Sequence, residues 1–155
     1  MIDPAPPLTA HLDGAIRDGR HTMQIRVYYE DTDFSGIVYH ASYLRFMERG
    51  RTNHLRLRGA EQRALFAEAQ AETPSFAFVV RSMQIDFFKP ARMDDVLEVV
   101  TWPVAVKGAS IVMGQEVRRG DALLVKAEVR VAFISEGRAQ PIPKALRALL
   151  KADLV

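Results

Sequence analysis

The alternation of apolar and polar positions predicts the first element of the chain. Between residues 22 and 30, Met23, Ile25, Val27 and Tyr29 fall on one face, and the residues between them are mostly polar. Because side chains along a β-strand point alternately to its two faces, the pattern predicts a strand over 22–30 with one buried face.

A long helix is predicted after a short loop. Residues 31–36 are rich in turn formers, and Gly36 is expected to take a positive φ. From 38 to 57 there is no proline, and apolar residues recur at helical spacing, namely Tyr39, Tyr43, Leu44, Phe46, Met47 and Leu55. This helix would be roughly 30 Å long. Gly50 in its middle costs about 1 kcal/mol relative to alanine, which indicates that a strand or a second subunit packs closely there.

The second half of the chain reads mainly as strands. A short helix is expected over 61–71, and Val, Ile, Phe and Trp then dominate four segments, which are 76–88, 97–106, 111–118 and 123–134. Short links at Gly108 and Gly120 predict hairpins and therefore antiparallel strands. Pro103 predicts an edge or a bulge, and Pro143 predicts the first turn of a terminal helix.

One strand, a long helix and then an antiparallel meander predict an α+β domain in which the sheet curls around the helix. With 155 residues, 48% of them apolar and 26% charged, the chain has the size and composition of a single globular domain. We expect residues 1–20 to form a flexible N-terminal arm and residues 21–155 to form that domain.

Composition narrows the possible functions. The chain has no cysteine, which excludes disulfides, thiolate zinc sites and cysteine nucleophiles. Most of its 21 basic residues are arginines scattered along the chain, which suits an anionic ligand; nucleic acid is disfavoured because aromatic and basic residues do not interleave on one strand face. The N-terminal stretch lacks the apolar segment of a secretory signal, and no stretch approaches a membrane span, so a cytoplasmic location is expected.

The most informative stretch runs from Tyr29 to Arg51 and contains two aspartates, a glycine turn, a histidine and the start of the long helix. A carboxylate just ahead of a helix lies where unpaired backbone N–H groups and the helix dipole can act on a bound carbonyl. This arrangement suits acyl-transfer chemistry.

The chain resembles the Tol-Pal-associated acyl-CoA thioesterases, relatives of 4-hydroxybenzoyl-CoA thioesterase with the hotdog fold. The likeness is carried by RVYYEDTD at 26–33, GIVYHASY at 36–43, ERGRT at 48–52 and a second patch at 78–95. It implies hydrolysis of an acyl-CoA to a free acid and coenzyme A, with no cofactor because coenzyme A is part of the substrate. It also implies a homodimer or homotetramer. Phe34 departs from the smaller residue that is usual there, and suggests an aromatic wall beside the acyl group.

In proteins of this kind the second aspartate of the D-x-D-x-x-G motif is catalytic, and here it is Asp33. A thiolate leaving group has a conjugate-acid pKa near ~8.5, so it departs without a metal or an activated serine. Asp33 would attack the carbonyl or activate a water, while N–H groups near residues 38–40 would meet the oxyanion. The alternative is that Asp33 only forms a turn or caps the helix.

Two residues are secondary catalytic candidates. His40 would hold the substrate or tune Asp33, unless it only satisfies a local hydrogen bond. Glu48 is a candidate because related hotdog enzymes place a catalytic glutamate on this helix. The competing explanation for Glu48 is an i,i+3 ion pair with Arg51.

Substrate binding is assigned to two groups of residues. Gly36, Val38 and Tyr39 lie at the predicted helix start, where the thioester would be held. Four basic side chains are candidates for contacts to the coenzyme A phosphates, although exposed basic residues are common on any surface: Arg81, Lys89, Arg92 and Lys107.

Two rival functions use the same fold. A non-catalytic acyl-binding or scaffold protein would engage acyl carrier protein or lipid-synthesis enzymes at the cell envelope, but such a protein has no need of the Asp33 and glycine-turn motif. A hotdog dehydratase would need a D-x-N-H run, which is absent from the sequence.

Overall fold

The computed structural model describes residues 12–61, 63–73 and 75–154. The strands are β1 (Ala15–Arg17), β2 (Arg20–Arg26), β3 (Ala77–Phe87), β4 (Val96–Val106), β5 (Ser110–Arg119), β6 (Ala122–Ser135) and β7 (Arg138–Ala139). The helices are α1 (His40–Glu61), α2 (Arg63–Glu72) and α3 (Lys144–Lys151), and a short 3-10 turn spans Tyr29–Asp31. Within these ranges no helix is both long enough and apolar enough to cross a membrane.

The strands form one antiparallel sheet in the order β1-β2-β4-β5-β6-β3, with β7 paired to β6. The long helix α1 packs over β2, β4 and β5, so the predicted α+β hotdog architecture is confirmed. The predicted meander is wrong in its strand order, because β3 pairs with β6 at the far edge of the sheet and not with β4. The link at 88–95 is too long for a tight hairpin, and its first N–H groups, those of Phe88 and Lys89, donate to Leu124 O.

The start of α1 differs by two residues from the predicted one, and its buried stripe is narrower. Tyr43, Phe46 and Met47 are buried, whereas Tyr39 and Leu44 are exposed. Leu44 is 40% exposed, so the apolar spacing overstates the width of the buried face. The close approach predicted at Gly50 is confirmed, since an added Cβ would meet side chains of β4 and β5.

The first predicted strand ends earlier than expected. Strand β2 stops at Arg26, and Tyr29 is 81% exposed within the 3-10 turn. The alternation fails there because the backbone of Val27 pairs with the segment before β4, donating to Asp95 O and accepting from the Asp94 N–H. Further along, a register shift between Pro103 and Ala105 confirms the predicted bulge.

Both ends of the described chain form regular secondary structure. Part of the predicted arm belongs to the sheet, since Ala15–Arg17 pairs with Arg20–Thr22 of β2; residues 1–11 lie outside the described part. The predicted terminal helix is present as α3, and it buries Leu146, Leu149 and Leu150.

Candidate active site

The loop between β2 and α1 is fixed by Asp31, which is 8% exposed. Its carboxylate accepts the Tyr28 N–H at 2.9 Å, and its carbonyl accepts the Tyr39 N–H at 2.9 Å and the Ser42 hydroxyl at 3.2 Å. A buried carboxylate with these partners holds the loop against the first turn of α1. Asp31 therefore positions the loop.

Asp33 lies at the exposed tip of the same loop. Its Oδ1 accepts the Ser35 N–H at 2.8 Å, its carbonyl accepts the Gly36 N–H at 2.9 Å, and its N–H donates to Ile37 O at 2.9 Å. Gly36 has a φ of +79°, as predicted, and this angle rather than crowding requires glycine because nothing lies within 4 Å of an added Cβ. The second carboxylate oxygen, Oδ2, has no partner among the described residues. Asp33 is thus both a turn former and an accessible carboxylate.

The first turn of α1 offers fewer N–H donors than expected. The Val38 N–H donates to Ala91 O and the Tyr39 N–H donates to Asp31 O, both at 2.9 Å. These bonds correct the expectation that N–H groups throughout 38–40 are open to an oxyanion. Within the described part of the chain, the N–H groups of His40 and Ala41 have no acceptor, as is normal for a helix start.

An apolar cavity of about 280 Å³ opens beside this helix start and is called the proximal cavity below. Its walls include Ile37, Val38, His40, Tyr43, Phe87 and Lys89. The ring centroid of His40 lies 6.2 Å from that of Phe87 and 4.6 Å from that of Tyr39. No hydrogen bond joins His40 to Asp33 within the described residues. Phe34 does not line the cavity; it is fully exposed in the single chain, so the aromatic wall comes from Phe87 and not from Phe34.

Tyr43 ties the cavity wall to the chain segment opposite. Its hydroxyl accepts the Ala91 N–H at 3.1 Å, and burial raises the pKa of this phenol, opposed in part by that bond. The side chain stays neutral and acts as a brace. Ala91 in turn accepts the Val38 N–H, so two bonds clamp the 88–95 link to the helix start.

Glu48 lies two turns along α1 from His40, about 12 Å further along the axis. The predicted ion pair between Glu48 and Arg51 is not formed: Glu48 Oε1 accepts the Thr52 hydroxyl at 2.5 Å, and Arg51 Nη1 donates to Gln115 Oε1 at 2.8 Å. Burial lowers the pKa of the Arg51 guanidinium, and the charge of Glu48 opposes this. Gln115 of β5 accepts the hydrogen bond from Arg51, and the spacing of Glu48 and Arg51 along the sequence does not predict this contact.

A second cavity of about 290 Å³, the distal cavity, lies between the C-terminal half of α1 and the start of β3. Its walls include Arg51, Leu55, Phe76, Phe78, Val80 and Leu150. Glu48 and Thr52 also border it. The sequence pattern does not predict this cavity, because its walls come from α1, β3, β5, β6 and α3, which are far apart along the chain.

The four basic candidates do not come together. Lys89 lines the proximal cavity, and the exposed Arg92 follows Ala91 in the clamped link. Arg81 is exposed within β3 at a register shift. Lys107 follows the last residue of β4, whereas the first residue of β4 is next to this link, so about 35 Å of strand separates them.

Two residues of this region were not predicted. Arg119 Nη1 donates to Asp95 Oδ2 at 2.9 Å and to Pro90 O at 3.2 Å, which fixes the link between Lys89 and Asp95. The pKa of Asp95 is lowered, first by the Arg92 N–H that it accepts and then by Arg119. No local sequence signal pairs Arg119 with this link. Among the residues that the structure describes, no group of three or more His, Asp or Glu side chains could hold a metal ion.

The sequence is similar to those of two bacterial proteins named as acyl-CoA thioesterases. The chain is 43% identical over 133 residues to the acyl-CoA thioesterase YbgC of Haemophilus influenzae, covering 84% of this chain and 94% of that protein. It is also 43% identical over 130 residues to the acyl-CoA thioester hydrolase YbgC of Escherichia coli, covering 82% and 92%.

Solved structures show the same fold. A probable thioesterase from Bartonella henselae superimposes with a TM-score of 0.66 at 40% identity, over 80% of this chain and 98% of that one. A hypothetical protein from Thermus thermophilus superimposes with a TM-score of 0.76 at 26% identity, over 88% and 98%. A family model described as the thioesterase superfamily matches residues 35–126, which is more than half of the sequence. The chain therefore belongs to the thioesterase superfamily.

Proposed function

We propose that the protein hydrolyses an acyl-CoA thioester to a free carboxylic acid and coenzyme A. The named activity of the Haemophilus and Escherichia relatives, at 43% identity, supports this substrate class. The geometric observation that carries the proposal is the short distance along the backbone between an accessible carboxylate and open N–H groups. Asp33 and His40 flank one hairpin-like loop, closed by the Thr32–Val38 bridge and the bond from Asp33 N–H to Ile37 O.

The reaction has two routes from this arrangement. In one, Asp33 attacks the thioester carbonyl, the C–S bond breaks to release the coenzyme A thiolate, and water then hydrolyses the mixed anhydride. In the other, Asp33 takes a proton from a water that attacks the carbonyl directly. In both, the N–H groups of His40 and Ala41 stabilise the oxyanion, and one such donor typically contributes about 3 kcal/mol.

The remaining site residues have supporting roles in this proposal. His40 contacts the substrate with its ring and contributes its backbone N–H, and Glu48 remains a candidate for positioning water. Gly36, Val38 and Tyr39 shape the loop around the thioester. Of the basic residues, we assign Lys89 and Arg92 to the coenzyme A phosphates, while Arg81 and Lys107 lie farther along their strands.

The test is a thiol-release assay over a panel of acyl-CoAs with wild type, Asp33→Asn and Glu30→Gln. Glu30 is the matched control because it is an exposed acid in the neighbouring 3-10 turn. We expect turnover of at least one acyl-CoA, a loss of about a thousandfold or more in kcat for Asp33→Asn, and near wild-type rates for Glu30→Gln. Equal rates for wild type and Asp33→Asn would remove Asp33 from the mechanism.

The association and location of the protein are part of the same proposal. Strand β3 is the last strand in the sheet order, so its outer backbone edge is available to pair with a second copy. We include in this proposal a homodimer or homotetramer in the cytoplasm, with the Tol-Pal association of the resembling family as its setting. If no acyl-CoA is turned over, the scaffold function, with acyl carrier protein or lipid-synthesis enzymes as partners, takes first place.

A further inference from the structure

The helix α1 leaves a seam along the edge strand β3. It packs over β2, β4 and β5, and β3 lies beyond them, so Val80 is 49% exposed and Phe87 is 47% exposed. At the start of α1 the seam opens at the proximal cavity, where Phe87 lies 5.9 Å from Tyr43 between ring centroids. The distal cavity is a separate pocket further along α1 and β3.

The walls of the distal cavity combine polar and apolar side chains. From α1 they include Glu48, Arg51, Thr52, His54 and Leu55. Opposite them, Phe76, Phe78 and Val80 supply apolar surface. The apolar part of these walls suits the hydrocarbon of an acyl chain whose thioester lies at the start of α1.

Helix α3 closes the far end of this cavity. Leu150 is 2% exposed and lines the cavity, whereas Leu146 of the same helix is fully buried and does not. Helix α3 also contacts α2 and β4, so its position does not depend on Leu150 alone.

A buried ion-pair cluster fixes the chain directly after α3. Asp153 is 1% exposed; its Oδ2 accepts from Arg58 Nε at 2.6 Å and lies 3.0 Å from His54 Nε2, and its Oδ1 accepts from Arg58 Nη2. His54 itself lines the distal cavity. The cluster therefore ties the end of α3 to the same stretch of α1 that forms the cavity wall.

We propose that α3 is the floor of an acyl-chain pocket, with Leu150 limiting the length of the straight apolar chain that fits and Asp153 holding α3 in place through Arg58 and His54. The inference rests on the proposed acyl-CoA hydrolysis and names the part of the molecule that selects the acyl group. Leu150 contacts the end of the chain; Asp153 is a positioning residue that acts through α3.

Three variants test whether α3 forms the floor of the acyl-chain pocket. Leu150→Phe fills the distal end, Leu150→Ala removes most of a side chain from it, and Leu146→Ala removes the same side chain from the same helix away from the cavity. Binding of free fatty acids from butyric to stearic acid is measured by calorimetry, and hydrolysis of the matching acyl-CoAs by thiol release. The binding measurement needs no turnover, so it stays informative if the protein does not hydrolyse the thioester.

We expect Leu150→Phe to weaken binding of the longest accepted chain by about tenfold or more while the shortest chains are unaffected. Leu150→Ala should lengthen the longest fatty acid that binds by roughly two carbons. Leu146→Ala should lose comparable stability with an unchanged length profile, and Asp153→Asn should broaden the range of chain lengths that bind.

The outcomes separate cleanly. Length-dependent binding that follows Leu150 without any hydrolysis would support the pocket and reject the proposed activity. A profile that is the same in wild type and both Leu150 variants, or that shifts equally in Leu146→Ala, would overturn the floor. If a second copy of the protein occupied the seam in place of the acyl chain, the profile would be the same in wild type and both Leu150 variants. The same result is expected if the protein binds no fatty acid.

Discussion

Gly50 of α1 lies directly against Thr101 of β4: a Cβ built on Gly50 would be 2.6 Å from Thr101 Oγ1. The same added atom would be 3.0 Å from Val99 Cγ1 and 3.2 Å from Gln115 Nε2. The fully buried Thr101 accepts a hydrogen bond from Gln115, which also donates to Met47 O. The missing side chain thus lets the helix backbone reach a polar network inside the sheet.

Replacing Gly50 by alanine should destabilise the protein. Alanine favours the helix by about 1 kcal/mol, but overpacking a buried contact typically costs about 1–3 kcal/mol, and here the neighbours are β-branched or hydrogen-bonded. We expect a net loss of roughly 1 kcal/mol, measured by urea unfolding. Gly108→Ala is the matched control, since nothing lies within 4 Å of a Cβ at that position. A Gly50→Ala protein more stable than wild type would show that β4 shifts to make room for the added methyl group.

Asp31 and Asp33 should separate stability from activity. Asp31→Ala leaves the Tyr28 N–H without its acceptor, so we expect a loss of roughly 1–2 kcal/mol together with reduced turnover. Asp31→Asn keeps an oxygen acceptor and should recover most of the stability. Thermal unfolding and thiol release on both variants provide the measurement. If Asp31→Ala kept full stability while losing all activity, Asp31 rather than Asp33 would be the reacting carboxylate.

The sequence predicts local features of this protein well. The periodicity of residues 38–57 indicates α1 to within a few residues, and the glycine turn at Gly36 and the contact at Gly50 follow from single residues. These features depend on backbone preference and side-chain spacing within a short window. For the same reason the strands from β3 to β6 are found at nearly their predicted bounds.

The features that were missed depend on distant partners. The partner of β3 is set by the path of the link at 88–95, and the N–H of Val38 is occupied by Ala91 on that link. The ion pair expected between Glu48 and Arg51 is lost because Gln115, sixty-four positions later, accepts from Arg51. Asp153 meets His54 across 99 positions of sequence. No local pattern reports such contacts.

Phosphate binding should depend on Lys89 and Arg92 but not on Lys107. Lys89 lines the proximal cavity and Arg92 adjoins it in sequence, whereas Lys107 lies at the opposite end of β4. Lys89→Ala and Arg92→Ala should each raise KM for an acyl-CoA by about three- to tenfold with little change in kcat, and added salt should reduce the difference. Lys107→Ala serves as the control. A raised KM for Lys107→Ala alone would place the phosphates at the other end of the sheet or on a second subunit.

Two buried histidines should make the protein sensitive to acid. His21 is fully buried; its Nε2 lies 2.7 Å from Asp13 O, and its Nδ1 has no partner in the described chain. Burial lowers the pKa of His21, against the opposing effect of Asp13. Burial also lowers the pKa of His54, against the opposing effect of Asp153 and with small further lowering from His21 and Arg58.

The sign of the pH dependence follows from those directions. The unfolded chain binds protons at both histidines below about pH 6.5, while the folded protein resists them, so stability is full above that pH and is lost as the pH falls through the folded pKa values. Each histidine contributes at most about 1.4 kcal/mol per pH unit. The lowered pKa of Asp95 places its own contribution at more acidic pH.

Urea unfolding of wild type, His21→Gln and His54→Gln between about pH 8 and pH 5 tests this dependence. We expect both variants to be less stable than wild type near pH 8, because each loses a buried contact, and their stability to fall less steeply toward pH 5. His40→Gln serves as the control, since His40 is exposed at the proximal cavity whereas His21 and His54 are buried. Parallel curves for wild type and both variants would assign the acid sensitivity to other groups. A flatter curve for His54→Gln alone would assign the acid sensitivity to the Asp153 cluster. There His54 contacts Asp153, the residue that holds the end of α3.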